Sequence, residues 1–348
     1  MTEKKTDMRR RDFIKGALIG AGTAAATSLG IREAEARAAI PKKWQVEADV
    51  IILGLGGAGA CAAIEAHDAG ARVLILEKQP QHNLINNTRM SGGIFHSPDP
   101  TGDREALKSY AKAMFSGENL PWMLEGEQPD VSDGLADAWA KYAPENVDWL
   151  KKLDPAFNGV AFSRFSGAAF PQFPGAKECK YRVYGSSFGA KADFDVATKD
   201  LPKARKMNGE AFFLVLREAV EKRKIKILWE TPASKLISND RGEVIGVLGK
   251  KKGGGSISCK ARTLGPIEKG PFYALPLYPG GPNTKGGIMA NARREVLDWE
   301  GKAIPRLYTA GEISSALKFV YQGGGNLTEC IVYGRIARKN AAALKSWK

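Results

Sequence analysis

Cysteine and histidine are scarce in this chain of 348 residues, with four Cys (Cys61, Cys179, Cys259, Cys330) and three His (His67, His82, His96). No two cysteines form a CxxC pair and no two histidines an HxxxH pair. A zinc site, a disulfide framework and covalently attached haem are therefore not expected. No apolar run reaches the ~20 residues that cross a bilayer as a helix. Acidic residues are also in deficit, 38 against 52 Lys and Arg, for a formal charge of +14. Eight basic and five acidic residues fall within residues 1–38, so the remainder still carries +11. The basic residues are spread along the chain, and the run Lys250–Lys252 with three glycines after it reads as a solvated turn. With no nucleic-acid module visible, a nucleic-acid partner is not expected.

The N-terminus reads as an address. Arg10-Arg11-Asp12-Phe13-Ile14-Lys15 has the twin-arginine form, Gly16 to Gly30 is a weakly apolar stretch, and Ala36-Arg37-Ala38 offers a cleavage site. Signals of this kind are read by a receptor and do not anchor. Residues 1–38 are thus expected to engage the twin-arginine export machinery and to send the protein to the periplasm or another extracytoplasmic space.

Hydrophobic residues make up 43% of the chain, enough for a sizeable core, and the 39 glycines cluster in a few places. The first cluster is the most informative. Val50-Ile51-Ile52-Leu53 is a continuous apolar run, as in a strand buried on both faces. Gly54-Leu55-Gly56-Gly57-Ala58-Gly59 follows at once as GxGxxG. A helix of small residues, Ala60 to Ala69, ends at Gly70, and a second strand, Arg72 to Leu76, closes on Glu77. Gly54 permits the tight turn, Gly56 lets a pyrophosphate approach the backbone, and Gly59 lets helix and strand pack closely. The helix start offers N–H groups and positive dipole character to phosphates. Glu77, with Lys78 beside it, is placed to hydrogen-bond ribose hydroxyls, which disfavours a 2′-phosphate. This unit by itself does not separate FAD from NAD.

The following segment, Asn86-Asn87-Thr88-Arg89-Met90-Ser91-Gly92-Gly93, reads as a loop of small polar residues suited to close contact with a cofactor. Late in the chain come Gly270 to Ala274, Asn283 to Gly287, and Ile304-Pro305-Arg306-Leu307-Tyr308-Thr309-Ala310-Gly311-Glu312. Gly323-Gly324-Gly325-Asn326-Leu327-Thr328 then opens a helix. Taken together, these segments resemble the FAD-dependent fumarate reductase/succinate dehydrogenase flavoprotein family over roughly residues 46–348. The resemblance implies FAD and an α/β fold: a Rossmann-like FAD-binding domain built from both chain ends, with a middle insertion. It places the cofactor against Gly54, Gly56, Gly57, Ala58, Gly59, Glu77 and Lys78. It adds Asn87, Thr88, Ser91, Gly92 and Gly93, then Gly311, Glu312, Gly325, Asn326 and Leu327. It also implies that the dipole of the C-terminal helix supports the charge of the reduced ring.

Between these ends, Gly209 to Lys222 shows Phe213, Leu216 and Val220 at helical spacing. Strands are expected at Ile225–Trp229, Lys235–Ser238 and Val244–Leu248. Phe157 to Gly189 reads as a loop. The expected organisation is an export signal (1–38), a first FAD-domain part (46–105), a helical and loop insertion (106–208), a middle FAD-domain part (209–262) and a C-terminal part (263–348).

Three departures from the family bear on chemistry. The chain lacks the ATGG-like strand end, and a junction near Arg262/Thr263 stands where the family's capping domain would be, so the cap is truncated or missing. Asn283 replaces a His of the fumarate-reducing branch, and Tyr321 replaces an Arg that would clamp a carboxylate. Tyr321 before its glycines resembles the ketosteroid dehydrogenase branch, in which a phenol polarises a substrate carbonyl. The resemblance therefore implies an oxidoreductase acting on a CH–CH or C=C bond beside a carbonyl. Tyr321, Tyr273 and Asn283 would be the catalytic residues, with a small carbonyl-conjugated substrate and a separate electron donor or acceptor protein. A fumarate-like dicarboxylate is the alternative substrate class. An FAD-binding module without turnover is the alternative to an enzyme.

Overall fold

The computed structural model describes residues 40–116, 132–155, 157–161, 170–188, 209–240, 243–261, 287–298, 300–314, 316–317 and 323–343. Two short strands, β1 (Val46–Ala48) and β2 (Val50–Leu53), lead into helix α1 (Gly57–Asp68) and strand β3 (Val73–Leu76). A single turn, α2 (Asn87–Met90), precedes β4 (Ile94–His96). Then come α3 (Arg104–Ser116), α4 (Ser132–Tyr142), α5 (Asn146–Leu153), β5 (Phe157–Ala161) and β6 (Val183–Phe188). The remaining elements are α6 (Gly209–Lys222), β7 (Lys226–Leu228), β8 (Ala233–Ser238), β9 (Val244–Lys250), β10 (Ser256–Ala261), β11 (Glu295–Leu297), β12 (Ala303–Tyr308) and α7 (Gly325–Ala342).

The mixed α/β architecture follows from the two apolar runs that flank the glycine motif. Strands β2 and β3 pair parallel from Val50 opposite Val73 to Leu53 opposite Leu76, joined by α1, and β7 extends the sheet along β3, also parallel. A parallel sheet needs cover on both faces, which is why β3 is buried throughout. A second sheet has the order β1-β10-β9-β8, parallel between β1 and β10 and antiparallel elsewhere. Residues 46–48 and 256–261, far apart in sequence, are thereby held side by side.

Helix α6 has the bounds its periodicity implies, and Phe212, Phe213, Val215, Leu216, Ala219 and Val220 are all buried. They join α1, β2, β3, Leu327 and Ile331 in one core. A second core gathers α3, α4, Tyr181, Val332, Tyr333 and Ile336. Helix α7 thus supplies side chains to both cores, and a helix buried on opposite sides is fixed in position by both. Its contact with α1 depends on small residues. A Cβ on Gly334 would stand 2.8 Å from the Ala58 carbonyl oxygen and 3.0 Å from Cys61 Cβ.

Two sequence readings need correction. Residues 157–189 are not simply a loop, because 157–161 and 183–188 are antiparallel partners, with β4 completing the sheet order β4-β6-β5. The insertion 106–208 accordingly contributes strands as well as helices. The 86–93 segment also contains a helical turn, because the Asn86 side chain accepts the Arg89 N–H at 2.8 Å and caps it. The export-signal segment, the junction after Arg262 and the glycine-rich stretch from 270 to 286 lie outside the described residues. Among the described residues, no helix is long and apolar enough to cross a membrane.

Candidate cofactor site

The glycine turn between β2 and α1 is shaped by steric necessity. Gly54 has φ +94°, a region that side-chain-bearing residues avoid. A Cβ on Gly59 would be driven into the Gly54 carbonyl oxygen, so the first turn of α1 can lie on the loop only with glycine there. Gly54 itself is tied to the sheet by its N–H bond to Leu76 O at 2.8 Å. Beyond Gly54 and Gly56 an added Cβ would meet nothing within 4 Å. The inner side of the turn is packed while the outer side is open.

Glu77 is buried, at 4% exposure, and both its oxygens are engaged. Oε2 accepts the Leu55 N–H at 2.7 Å and Oε1 accepts the Gln79 N–H at 2.8 Å. The carboxylate therefore locks the glycine loop to the end of β3. Each oxygen has a second lone pair, which leaves capacity for a ribose hydroxyl. Glu77→Ala would orphan two backbone donors as well as remove that acceptor. An unmade bond at a buried donor costs about 1–3 kcal/mol. FAD affinity should fall by about 10–100-fold with a lowered unfolding midpoint, whereas Glu77→Gln should recover part of both. Calorimetric titration with FAD and thermal melts check this.

The 86–93 segment closes over the same turn. Asn86 Nδ2 donates to Leu55 O at 3.0 Å, and Thr88 Oγ1 accepts the Gly57 N–H at 3.0 Å. Ser91 Oγ donates to Thr88 O at 2.7 Å and accepts the Gly93 N–H at 3.2 Å. Arg89 pairs with Glu210 at the start of α6, fastening this segment to the core. Asn86 was missing from the sequence-based site, because its link to Leu55 depends on how the chain folds back.

The C-terminal motifs meet this loop directly. Gly311 has φ +86°, and a Cβ there would stand 2.9 Å from Ala58 Cβ. Asn87 Nδ2 lies 3.4 Å from Glu312 Oε2. A Cβ on Gly57 would come 3.3 Å from Cys330 Cβ on α7, whose thiol burial pushes up to about 12. The structure thus brings together Gly54 to Gly59, Glu77, Asn87, Thr88, Gly311, Glu312 and the first turns of α7, where Gly325, Asn326 and Leu327 stand. Lys78 is exposed at the rim, and Gly92 and Gly93 lie just before β4. Tyr273, Asn283 and Tyr321 lie outside the described residues.

Arg294 is a further participant that its place in an Arg-Arg pair did not reveal. Its guanidinium is 1% exposed and packs 4.4 Å over the Tyr333 ring. Nε donates to Thr309 O at 3.0 Å and Nη2 to Ser314 O at 3.0 Å. Burial pulls its pKa down, while Tyr333 and Glu329 act in the opposite direction. Arg294 holds both ends of the segment that carries Gly311 and Glu312.

Beside the glycine turn lies a cleft of about 430 Å³. Leu53, Ile85, Pro232 and Ala233 form apolar walls, and Glu77, Lys78 and Asn86 supply polar groups. Leu53 and Ile85 are half exposed, at 50% and 48%, and give the cleft apolar surface open to a ligand. A slot with apolar walls, a buried carboxylate and a bare glycine floor suits the adenosine and pyrophosphate of a dinucleotide.

The model of the family described as FAD binding domain matches residues 49–264 and 256–327. The chain belongs to this family. FAD is accordingly the cofactor, and the open floor at Gly54 and Gly56 and the apolar cleft walls fit its adenosine half. Within the FAD binding domain family, the chain is 45% identical over 73 residues to a 3-oxosteroid 1-dehydrogenase of Comamonas testosteroni, 21% of this chain and 13% of that protein. It is 39% identical over 77 residues to a probable fumarate reductase of Shewanella frigidimarina, 22% of this chain and 13% of that protein. The matched stretch is thus a small part of the length of these relatives. The fold is that of a 3-ketosteroid Δ4-(5α)-dehydrogenase from Rhodococcus jostii, with TM-score 0.62 at 15% identity, covering 88% of this chain and 99% of that one.

Proposed function

We propose that this protein is an exported FAD-dependent oxidoreductase acting on a CH–CH or C=C bond beside a carbonyl of a neutral substrate. The observation that carries the reading is the meeting of Gly311 with Ala58, which joins the C-terminal motif to the dinucleotide turn in one site. Bound FAD would supply hydride exchange at N5 with the β-carbon of such a substrate. The chain's own part is to bind and to polarise. The α1 turn and Glu77 would hold pyrophosphate and ribose, and the N-terminus of α7 would face the ring and support the negative charge it gains on reduction.

On the substrate side, Tyr321 would donate its phenol proton in a hydrogen bond to the carbonyl oxygen, supported by Tyr273 and Asn283. A phenol with pKa near ~10 suits donation at neutral pH better than proton abstraction. The 3-oxosteroid 1-dehydrogenase match agrees with a ketone or enone. The fumarate reductase match leaves a dicarboxylate as the competing class, and assays of the purified protein on an enone panel and on fumarate separate the two. Turnover on enones with none on fumarate is expected, and brisk fumarate reduction alone would refute the assignment. The lack of an ATGG-like strand end before the junction near Arg262/Thr263 favours a second reading, an FAD-binding module lacking its cap. Flavin reduction without turnover on any acceptor would select it.

Export is part of the same proposal. Replacing Arg10 and Arg11 by Lys should leave the precursor in the cytoplasm, since the receptor reads the arginine pair. Fractionation that finds the double variant exported unimpaired would remove the export assignment.

A further inference from the structure

His96, at the end of β4, has no exposed surface, and its ring and backbone are engaged on every side. Nε2 lies 2.7 Å from Gly323 O, and Nδ1 lies 2.7 Å from the Tyr181 hydroxyl. A carbonyl oxygen only accepts, so Nε2 carries the proton and donates. Tyr181 is also buried, and burial pushes its phenol well above its usual pKa, so it keeps the O–H that can donate to Nδ1. With Nε2 donating to Gly323 O and Nδ1 facing the Tyr181 hydroxyl, the geometry suits the Nε2–H tautomer. Trp139 and Tyr181 meet the ring edge-on, at 5.6 and 5.1 Å between centroids.

The main chain of His96 extends the same grip. Its N–H donates to Thr328 Oγ1 at 2.6 Å, and Thr328 Oγ1 donates to Gly324 O at 3.0 Å. Its carbonyl accepts from Asn146 Nδ2 at 2.9 Å. Two consecutive carbonyls, Gly323 and Gly324, are therefore held by one residue, one directly and one through Thr328. A trans peptide is planar with C=O and N–H opposed, so fixing the Gly324 carbonyl fixes the direction of the Gly325 N–H. The turn can sit this close to β4 only without side chains. Gly324 has φ +95°, and a Cβ there would lie 2.8 Å from Ile94 Cγ2.

We propose that His96 is a positioning residue, which through Gly323, Thr328 and Gly324 aims the peptides opening α7 and so sets the reduction potential of the flavin. This rests on the reading that α7 begins against the flavin ring, and goes beyond it by naming what holds that helix start. Nothing in the composition pointed to it, since the sequence offered His96 only as one of three histidines in no HxxxH pattern.

Two substitutions separate aiming from packing. His96→Asn keeps an acceptor at the Nδ1 position but cannot reach Gly323 O. His96→Gln places an amide N–H near the Nε2 position and can. With FAD content equal, His96→Asn should reduce the preference for reduced over oxidised FAD about tenfold, a fall of about 30 mV for a two-electron couple. His96→Gln should recover most of that fall. In the unloaded protein, 15N NMR of the imidazole should report a protonated Nε2 and an accepting Nδ1. A potential unmoved in His96→Asn, an equal fall in both variants, or the opposite tautomer would each overturn the proposal. Amide exchange at residues 323–327 with and without FAD locates the fault. Absent protection by FAD would fault the placing of α7, whereas protection with an unmoved potential would fault His96 itself.

Discussion

Gly59→Ala should give a folded protein that has lost FAD affinity by about 10³-fold. The added Cβ collides with the Gly54 carbonyl oxygen and comes within 3.3 Å of Gly54 C and Ile52 Cγ2. These are mostly backbone atoms, and Gly54 cannot retreat because its N–H is bonded to Leu76 O in the sheet. The helix must therefore move off the loop. Overpacking of this kind costs about 1–3 kcal/mol of stability, a loss that a chain with this much buried apolar surface can bear. The larger loss falls on the ligand, because the α1 N-terminus that would receive the pyrophosphate no longer lies against the turn. Gly56→Ala is the matched control. Gly56 has an extended conformation and an added Cβ meets nothing within 4 Å, so stability should be unchanged while FAD affinity still falls. Thermal melts with flavin titration distinguish a broken turn from a filled one. Normal FAD affinity in Gly59→Ala would contradict the geometry of the turn.

Tyr321→Phe should lower turnover on enones by about 10²–10³-fold, the range for loss of one donor to a developing oxyanion. The measurement belongs in a full-length relative carrying the capping domain. If Asn283 and Tyr321 line the substrate site as proposed, they offer an anionic substrate no cationic partner, and an unpaired charge taken out of water is strongly unfavourable. A neutral ketone or enone needs only hydrogen-bond donors. Phe keeps the ring and removes the donor, so FAD content should not change while kcat falls. A Phe variant as active as the parent on every enone tried would refute the role given to Tyr321.

The parts of the fold legible in the sequence were those with local causes. The apolar run 50–53, the glycines after it and the second run ending at Leu76 describe a strand, turn, helix and strand whose neighbours in space are also neighbours in sequence. Helix 209–222 was equally plain, since Phe213, Leu216 and Val220 mark one buried face. The pairing of 157–161 with 183–188 was not legible, because more than twenty residues separate strands that are short and rich in Gly, Ser and Phe. No turn signal sets their register. Side chains whose role lies in a distant backbone group were hidden for the same reason. Asn86 reaches Leu55, and Arg294 reaches Thr309 and Ser314. Each residue is ordinary in its own segment, and its partner is supplied only by the folded chain.

The account depends on FAD being held in a site assembled from both ends of this chain. Denaturing the purified protein and quantifying the released flavin tests that most directly. Stoichiometric FAD, or stoichiometric uptake when FAD is added to unloaded protein, is the predicted result. A folded protein that releases no flavin and takes up none would contradict it.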